Sequence, residues 1–399
     1  MDMSLSRDRE LHNYIVEKWK KSFNEPNGTL KHKFLDPAAA YRGQLWDWDS
    51  FFCGFALLDV YEDTAEYVKG CALNFLDFIR EDGSIPYVID TNEEKFTALP
   101  ACNIEARTEE CDFNSIKPLL AQMVLMASSK LNDNEWVKEA YPKLKRHVAH
   151  WENTQKKRFG MFVWRSMRGS GIDNHPAVYG RPLDATAAVE VNCFMYKEYL
   201  AMAELAKLCG VESDVKVYED KAKELADIIN EHMWDDIDGI YYAQDVLTRE
   251  YPTATYQIHW DLPLKFKSWT SLMPMWAGIA PKEYAERMVR EHITNRDEFW
   301  SSFGIRTLAK NEKVYHTDET SNPSNWQGPI WIVSTYLVYQ GLVNYGYTDI
   351  ANEIAENLKH NMYKDFKECG AFHEYYNPET GKSTINKGFM NWNALIERM

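Results

Sequence analysis

Apolar residues recur with the spacing of an α-helix along most of this 399-residue chain, and this pattern limits the possible folds more than any other sequence feature. In residues 10–23, Leu11, Tyr14, Ile15 and Trp19 fall on one helical face. The same pattern covers the segments 65–79, 116–129, 135–151, 185–208, 214–233, 282–291, 330–345 and 349–362. Strand-like alternation is confined to short stretches, of which 161–164 and 239–243 are the best candidates. The sequence therefore predicts an all-α protein.

Long segments rich in Gly, Pro and polar residues separate the helical segments. They cover residues 81–101, 165–182, 245–262, 295–327 and 375–391. Long loops inside a folded domain usually carry function. No Ser- or Gly-rich linker and no exact repeat divides the chain. We therefore expect a single domain, 1–399, of about a dozen helices arranged as an α/α toroid, with its loops forming a funnel at one end.

Charge and cysteine usage exclude several classes of function. The chain has 45 Lys and Arg against 60 Asp and Glu, a net charge of -15, which disfavours binding to nucleic acid or to an anionic membrane. The 7 cysteines are scattered and odd in number, which is typical of reduced thiols. No signal peptide and no apolar run of membrane-spanning length is visible. We expect a cytoplasmic protein.

One octapeptide, Leu45–Phe52, combines two Trp, two Asp and two Phe. The indole of Trp offers a flat apolar face and the carboxylate of Asp offers acceptor oxygens, which match the C–H face and the hydroxyl rim of a pyranose. This pattern favours a sugar subsite. An aromatic run in the core, with Asp residues capping a helix, is an equally good interpretation of the octapeptide alone.

Two loop carboxylates, Asp173 and Glu374, are the candidates for acid–base chemistry. Asp173 lies in a flexible turn, and Glu374 lies between His373 and two Tyr. Glycoside hydrolysis needs one protonated carboxyl group to donate to the leaving oxygen and one ionised carboxylate to activate water or to attack. The alternative is that Asp173 bonds its own turn and that Glu374 is a surface charge.

Neither metal ligands nor nucleotide motifs follow a recognisable pattern, so no cofactor is expected. His147 and His150 lie three residues apart on a predicted helix without a third ligand. Residues 235–239 resemble part of a calcium loop but lack its distal Glu, so we interpret them as a turn at a helix end.

Five motifs, in this order, resemble those of glycoside hydrolase family 63, in particular its short bacterial members that act on mannosylglycerate and glucosylglycerate. They are Trp46–Phe52, Lys117–Leu119, Ser170–Asn174, Trp326–Trp331 and Glu374–Gly381. Trehalases of family 37 are more distantly similar. The resemblance runs from Tyr41 to Trp392 and implies an (α/α)₆ barrel and a hydrolase that inverts the anomeric configuration.

The resemblance also implies roles for individual residues. Asp173 matches the general acid and Glu374 the general base, while Trp46 and Asp49 match positions that hold the sugar in the innermost subsite. The full set of predicted substrate-binding residues is Tyr41, Trp46, Asp49, Phe52, Tyr87, Gln122, Trp326, Gln327, Trp331, Tyr375 and Trp392. The predicted partner is thus a small carbohydrate, an α-glucoside or an α-mannoside.

Three departures from the family pattern fall beside the acid and the base, where the leaving group is expected. Gly169 replaces the usual Glu, and residues 175–179 and 389–393 differ from the family sequences. The nearby Arg165, Arg168 and Arg181 could bind an anionic aglycone such as glycerate, because Arg pairs bidentately with carboxylates. Solvated surface arginines are the alternative.

Two other functions fit a chain of this size and class. Sugar epimerases of the acylglucosamine and cellobiose types also use an α/α barrel and rely on paired histidines, for which His259, His316 and His373 are available. A sugar-binding protein without catalysis is the other alternative.

Overall fold

Helices dominate the computed structural model, which describes residues 3–98, 114–249, 258–259, 262–318 and 324–399. In chain order the α-helices are α1 (Met3–Lys18), α2 (Asp47–Leu57), α3 (Thr64–Asp77), α4 (Glu93–Ala98), α5 (Leu120–Leu131), α6 (Glu135–Thr154), α7 (Met167–Ser170), α8 (Val189–Cys209), α9 (Glu212–His232), α10 (Met273–Ala277), α11 (Lys282–Arg287), α12 (Ile332–Asn344) and α13 (Thr348–Cys369). A π-helix, Met288–Ile293, continues α11, and a 3₁₀ helix, Asn391–Arg398, ends the chain. Shorter 3₁₀ helices cover Trp19–Ser22, Ala39–Tyr41, Arg158–Gly160 and Trp269–Leu272.

Along the chain, outer and inner helices alternate six times. The inner members are α2, α5, α8, α10, α12 and the C-terminal 3₁₀ helix, and the outer members that precede them are α1, α3, α6, α9, α11 and α13. From α5 onward, successive inner helices contact one another, and the C-terminal 3₁₀ helix returns to α2, which closes the ring with the help of α3. The predicted all-α toroid of helix pairs is confirmed.

Burial explains which helices are inner and which are outer. Helix α2 buries every residue except Phe55, as expected for a helix with neighbours on all sides. The outer helix α9 instead buries one stripe, made of Val215, Tyr218, Ala222, Leu225 and Ile229. Alternate spacings of three and four residues give that stripe its helical period.

Short antiparallel strands occupy the loops. They are β1 (Phe23–Asn24), β2 (Phe34–Leu35), β3 (Gln44–Trp46), β4 (Val88–Asp90), β5 (Thr186–Ala187), β6 (Trp234–Asp235), β7 (Ile240–Tyr241), β8 (Ala243–Asp245), β9 (Thr248–Arg249), β10 (Ile258–His259), β11 (Leu262–Leu264), β12 (Trp300–Ser301) and β13 (Gly304–Ile305). The pairs are β1–β2, β3–β4, β6–β7, β9–β10 and β12–β13, and β8 lies between β5 and β11. In the pair that matters most for the site, Trp46 on β3 lies opposite Val88 on β4.

Each predicted helical segment overlaps an observed helix, but one of the two predicted strands does not form. Residues 239–243 contribute to β7 and β8, as predicted. Residues 161–164 make only an isolated bridge between Lys156 and Phe162. The side-chain amide of Asn192 takes the place of a partner strand, accepting from the Phe162 N–H at 2.8 Å and donating to its carbonyl at 2.9 Å.

No helix in the described part of the chain combines the length and the apolar character needed to cross a membrane.

Candidate active site

A cavity of about 410 Å³ opens where the chain enters the inner helices. Its walls come from the start of α2, from the segment before α5, from the loop before α8, and from the segments before α12 and the C-terminal 3₁₀ helix. The lining residues are Tyr41, Trp46, Trp48, Asp49, Tyr87, Lys117, Met167, Arg168, Gly171, Asp173, Ser324, Trp326, Trp331, Glu374, Phe389 and Trp392. Both candidate catalytic carboxylates and seven of the predicted sugar-binding residues are among them.

Asp173 follows a tight turn that brings its loop against the aromatic wall. Gly171 has φ +71, and a Cβ atom there would lie 2.9 Å from the Trp48 ring, so glycine permits both the turn and the close approach. Asn174, which follows Asp173, accepts two hydrogen bonds. Its side-chain oxygen accepts from the Trp326 backbone N–H at 2.7 Å, and its backbone carbonyl accepts from the Gln327 side-chain amide at 2.8 Å. These bonds fix the Asp173 loop to the segment before α12.

Glu374 lies on the opposite segment and is only 6% exposed. Its backbone N–H donates to the Ile385 carbonyl at 3.1 Å, and the Asn386 side chain donates to its Oε2 at 3.1 Å. Burial raises the pKa of Glu374 to about 7, the Asn386 hydrogen bond opposes this shift, and the charge of Asp173 adds to it. The two carboxyl groups are therefore close enough to interact across the cavity.

Asp49 is the third acidic group of the cavity. It lies in the first turn of α2, is 8% exposed and accepts a hydrogen bond from the Asn391 side chain. Burial and the neighbouring charge of Asp47 raise the pKa of Asp49 to about 7, against the opposing effects of Lys117 and Asn391. Such a group can accept from or donate to a sugar hydroxyl near neutral pH.

A buried ion pair supports this part of the wall. Asp47 Oδ1 lies 3.0 Å from Lys117 Nζ, and the two side chains are only 1% and 2% exposed. Asp47 also accepts the backbone N–H groups of Trp48 at 2.7 Å and of Lys117 at 3.0 Å. Protein donors thus occupy both carboxylate oxygens of Asp47, which does not line the cavity.

Aromatic rings form the remaining walls. Trp326 stacks on Trp331 with ring centroids 3.9 Å apart, and Trp392 meets Trp48 edge-to-face at 5.1 Å. Trp46 contacts Tyr41 and Tyr87, each at 5.9 Å, and is half-buried, whereas Trp326 and Trp331 are almost fully buried. Trp46 therefore presents the larger free aromatic face to a sugar ring.

Four predicted substrate-binding residues do not reach the cavity. Phe52 packs beneath Trp48, and Tyr375 is fully buried behind Trp331. Gln327 binds the Asn174 carbonyl through its amide. Gln122 donates to the Pro118 carbonyl at 2.9 Å and lines a separate cavity of about 270 Å³. Their side chains pack against other residues or bind the backbone, and their direct contact with a sugar stays a prediction.

Sequence reasoning also left out residues that the structure brings to the cavity. Trp48, Lys117 and Gly171 stand inside three of the five sequence motifs, and those motifs were the available signal. Met167, Ser324 and Phe389 lie outside those motifs and have no chemical signature that distinguishes them from other loop residues.

The three arginines near the loop that carries Asp173 have different surroundings. Arg165 pairs with Asp184 at 2.7 Å, and Arg181 pairs with Asp245. Arg168 lines the cavity and makes no ion pair with any residue that the structure describes. It is thus the one of the three that can meet an anionic group of a bound molecule.

Two of the three histidines proposed for an epimerase, His316 and His373, lie away from the cavity. His316 contacts the Gln327 side chain at 3.1 Å, and His373 contacts Asp365 at 2.9 Å, and neither lines the cavity. The side chain of His259 lies outside the described residues. Among the residues that the structure describes, the cavity is lined by three carboxyl groups and by no imidazole.

The possible calcium loop and the two helical histidines have structural partners. Asp235 accepts the N–H groups of Ile237 and Asp238 and pairs with Lys265 at 2.6 Å, as in a helix-end turn. His147 and His150 each contact a different backbone carbonyl, of Gly83 and of Asp82, at 3.0 Å.

Comparison with known proteins gives consistent results. A family model described as "Mannosylglycerate hydrolase MGH1-like glycoside hydrolase domain" matches residues 42–392. A mannosylglycerate hydrolase of Thermus thermophilus is 22% identical over 91% of this chain and 95% of its own length. The chain spans between 34% and 51% of the length of the first curated relatives it matches, which are named as glucosidases.

Solved structures establish the fold. A GH63 mannosylglycerate hydrolase from Thermus thermophilus, in complex with glucose, has a TM-score of 0.70 and 18% identity, covering 97% of this chain and 99% of that one. The neutral trehalase Nth1 from Saccharomyces cerevisiae has a TM-score of 0.63 and 17% identity, covering 92% and 73%.

Proposed function

Because the chain belongs to the mannosylglycerate hydrolase MGH1-like glycoside hydrolase family, whose model matches residues 42–392, we propose that it hydrolyses a small α-glycoside with inversion of the anomeric configuration. This membership agrees with the resemblance to family 63 that the loop motifs indicated. The observation that carries the proposal is the meeting of Asp173 and Glu374 in one aromatic-walled cavity.

In the proposed reaction, Asp173 protonates the glycosidic oxygen while Glu374 removes a proton from a water molecule on the other face of the sugar. Room for that water requires the two carboxyl groups to be ~6.5–9.5 Å apart. The pKa of Glu374, about 7, suits a base that works near neutral pH. Asp49 and Trp46 would bind the hydroxyl rim and the apolar face of the sugar.

The aglycone that we propose is small and anionic, with glycerate as the model and an α-mannoside or α-glucoside as the sugar. Arg168 supplies a cation in the cavity without a described ion-pair partner. A carboxylate is the natural partner of a guanidinium, since two parallel hydrogen bonds form between them.

Two further assignments belong to this proposal. A continuous buried cluster from Leu11 to Ile396 supports one catalytic domain, 1–399. Five cysteines, namely Cys53, Cys71, Cys193, Cys209 and Cys369, are free thiols in the described part of the chain, which supports a reducing compartment such as the cytoplasm.

The test uses Asp173→Asn and Glu374→Gln, assayed on α-mannosyl and α-glucosyl glycerates and disaccharides. Each substitution keeps the shape of the side chain and removes its acid–base function, so we expect kcat to fall by roughly 10²–10⁴-fold with sugar binding retained. Asp184→Asn is the matched control, because Asp184 is a carboxylate of the same loop that pairs with Arg165 and does not line the cavity. Wild-type turnover by the Asp173 or Glu374 variant would refute the assignment.

Proton NMR of the first sugar released tests the stereochemistry independently. An α-glycoside should release the β-anomer before mutarotation. Initial release of the α-anomer would contradict single displacement, and a product of unchanged mass would indicate epimerisation instead of hydrolysis.

A further inference from the structure

Three metal-ligating side chains meet outside the catalytic cavity, at the C-terminal end of α13. Asp365 and Cys369 are one helical turn apart, and Gly370, with φ +72, ends the helix and turns the chain back. His373 thereby comes to face both residues. One ligand atom from each of the three lies within 4.8 Å of the other two.

The donors form a set that a borderline-soft divalent cation prefers. Thiolate, imidazole and carboxylate are the protein ligands of Zn²⁺, and three of them with one open position make a tetrahedral site. A thiolate and a carboxylate together carry two negative charges, which balance the ion. The C-terminal end of a helix adds a partial negative charge that favours a cation.

The surroundings of the cluster allow an ion to enter and to be held. Asp365 is 5% and His373 8% exposed, whereas Cys369 is half-exposed and gives a route from solvent. The side chain of Ser383 lies within hydrogen-bonding reach of Asp365 and of Cys369. Its hydroxyl or a water molecule can therefore fill the fourth position.

Hydrogen bonds already link all three members of the cluster, because Asp365 is bonded to His373 and also to the Cys369 thiol. His373 Nδ1 lies 2.9 Å from Asp365 Oδ2, and the Tyr376 hydroxyl donates to the same oxygen at 3.0 Å. This network holds the three side chains together, but a hydroxyl at position 369 would make the same hydrogen bond to Asp365 as the thiol does, so the network alone does not call for a cysteine. A bound ion would take the place of the Nδ1 proton, which moves to Nε2, and the thiol proton would pass to solvent.

We propose that Asp365, Cys369 and His373 form a binding site for Zn²⁺ or a similar soft divalent cation. Because Glu374 directly follows His373, the ion would brace the segment that carries the proposed general base. The binding inference stands on the ligand geometry alone and does not depend on the proposed hydrolysis.

The experiment uses the full chain after treatment with a chelator and desalting. Zn²⁺ is titrated into the protein in competition with a chromophoric chelator, and Co²⁺ is added to a second sample. We expect a single equivalent of Zn²⁺ to bind more tightly than micromolar, as at other thiolate sites. Bound Co²⁺ should show the near-ultraviolet charge-transfer band that only a thiolate ligand produces.

A matched pair of variants identifies the thiol. Cys209 also ends a long helix, precedes a left-handed glycine and is half-exposed, but it belongs to no metal-ligating group that the structure describes. Cys369→Ser should therefore lose the Co²⁺ band and the rise in Tm that Zn²⁺ causes, whereas Cys209→Ser should keep both.

The inference fails if the wild-type chain binds no Zn²⁺ at micromolar concentration, or if Cys369→Ser keeps the thiolate band. Loss of the band in both variants would also overturn it, because the ligand assignment would then be wrong. All of these measurements are made without a glycoside, so their failure leaves the catalytic proposal untouched.

Discussion

At the scale of single residues, Asp47 and Asp49 are close in sequence but have different surroundings. Asp47 is saturated by Lys117 and by two backbone N–H groups, whereas Asp49 lines the cavity and shares a hydrogen bond with Asn391. On the surface of α2 their side chains point in directions about 200° apart. One carboxylate therefore stabilises the fold and the other is available to a ligand.

This difference predicts a large loss of stability for Asp47→Asn. The substitution removes the carboxylate that directly pairs with the buried Lys117 ammonium, which should lower the free energy of unfolding by about 3–5 kcal/mol. Urea denaturation measures the change. Asp49→Asn is the control, since it should lose activity while its free energy of unfolding changes little. Equal destabilisation by the two variants would contradict the assignment.

A second prediction concerns Arg168 and the proposed anionic aglycone. Arg168→Gln removes a charged hydrogen bond of about 1.5–3 kcal/mol, so KM for a glycosylglycerate should rise by roughly 10–100-fold. KM for a neutral disaccharide of the same sugar should stay the same. Arg165→Gln serves as the control, because Arg165 already pairs with Asp184. A parallel rise in KM for charged and neutral substrates would show that Arg168 does not recognise the charge.

The sequence predicted Asp173 and Glu374 as candidate catalytic residues but not the direction of every neighbouring side chain. Glu374 meets the cavity, while the side chain of the next residue, Tyr375, packs behind Trp331. On α2, Phe52 lies one turn below Trp48 and therefore underneath the wall. A motif gives the residue types of a site, but it does not show which side chains of that motif face the cavity and which face the core.

At the scale of elements, helical periodicity predicted the outer helices and the inner helices α5, α8 and α12, but it missed the inner helices α2 and α10. Helix α2 has neighbours on every side, so its sequence carries no polar stripe from which a period can be read. Helix α10 has only five residues, too few to show one. The segment 161–164 alternates like a strand, but the Asn192 side chain satisfies its backbone instead of a second strand.

One contact between elements makes stability depend on pH. Glu198 of α8 accepts the Ala121 N–H at the start of α5 at 2.7 Å and is only 1% exposed. Burial raises the pKa of Glu198 from 4.5 to about 7, although the N–H groups of α5 oppose the shift. In the native state the group therefore keeps its proton at a pH where the unfolded chain has lost it.

The sign of the effect follows from this difference in proton binding. Between pH 4.5 and about 7 the native state binds more protons at Glu198 than the unfolded state, so its stabilising contribution falls as pH rises through this window. Relative to Glu198→Gln, the wild-type free energy of unfolding should decrease across the window by up to about 3 kcal/mol. Urea titrations at several pH values measure the free energy of unfolding of both proteins. Glu204→Gln is the control, because Glu204 lies on the same helix and is exposed. Parallel curves for wild type and Glu198→Gln would refute the coupling.

At the scale of the whole molecule, closure of the ring of inner helices depends on its last element. The sequence predicted a toroid with loops at one end, but nothing in residues 391–398 predicted that a 3₁₀ helix would complete it. This helix packs between α2 and α12, and Asn391 accepts the Trp19 indole N–H at 3.2 Å while donating to Asp49. Trp392 in turn contacts Trp48. The chain end thus joins the ring to the cavity wall.

Removal of residues 391–399 should therefore cost both folding and activity, although Asp173 and Glu374 remain in the chain. The deletion exposes the apolar residues of α2 that this helix covers and removes the Asn391 hydrogen bond to Asp49. We therefore expect a broad thermal transition with a lowered Tm and no measurable hydrolysis. Arg398→Gln is the control: it loses an ion pair with exposed Asp59 and a bond to the Phe55 carbonyl, which should cost about 1 kcal/mol. Circular dichroism melting with an activity assay distinguishes the two. A truncated chain that melts and turns over like Arg398→Gln would show that the ring is stable without its final helix.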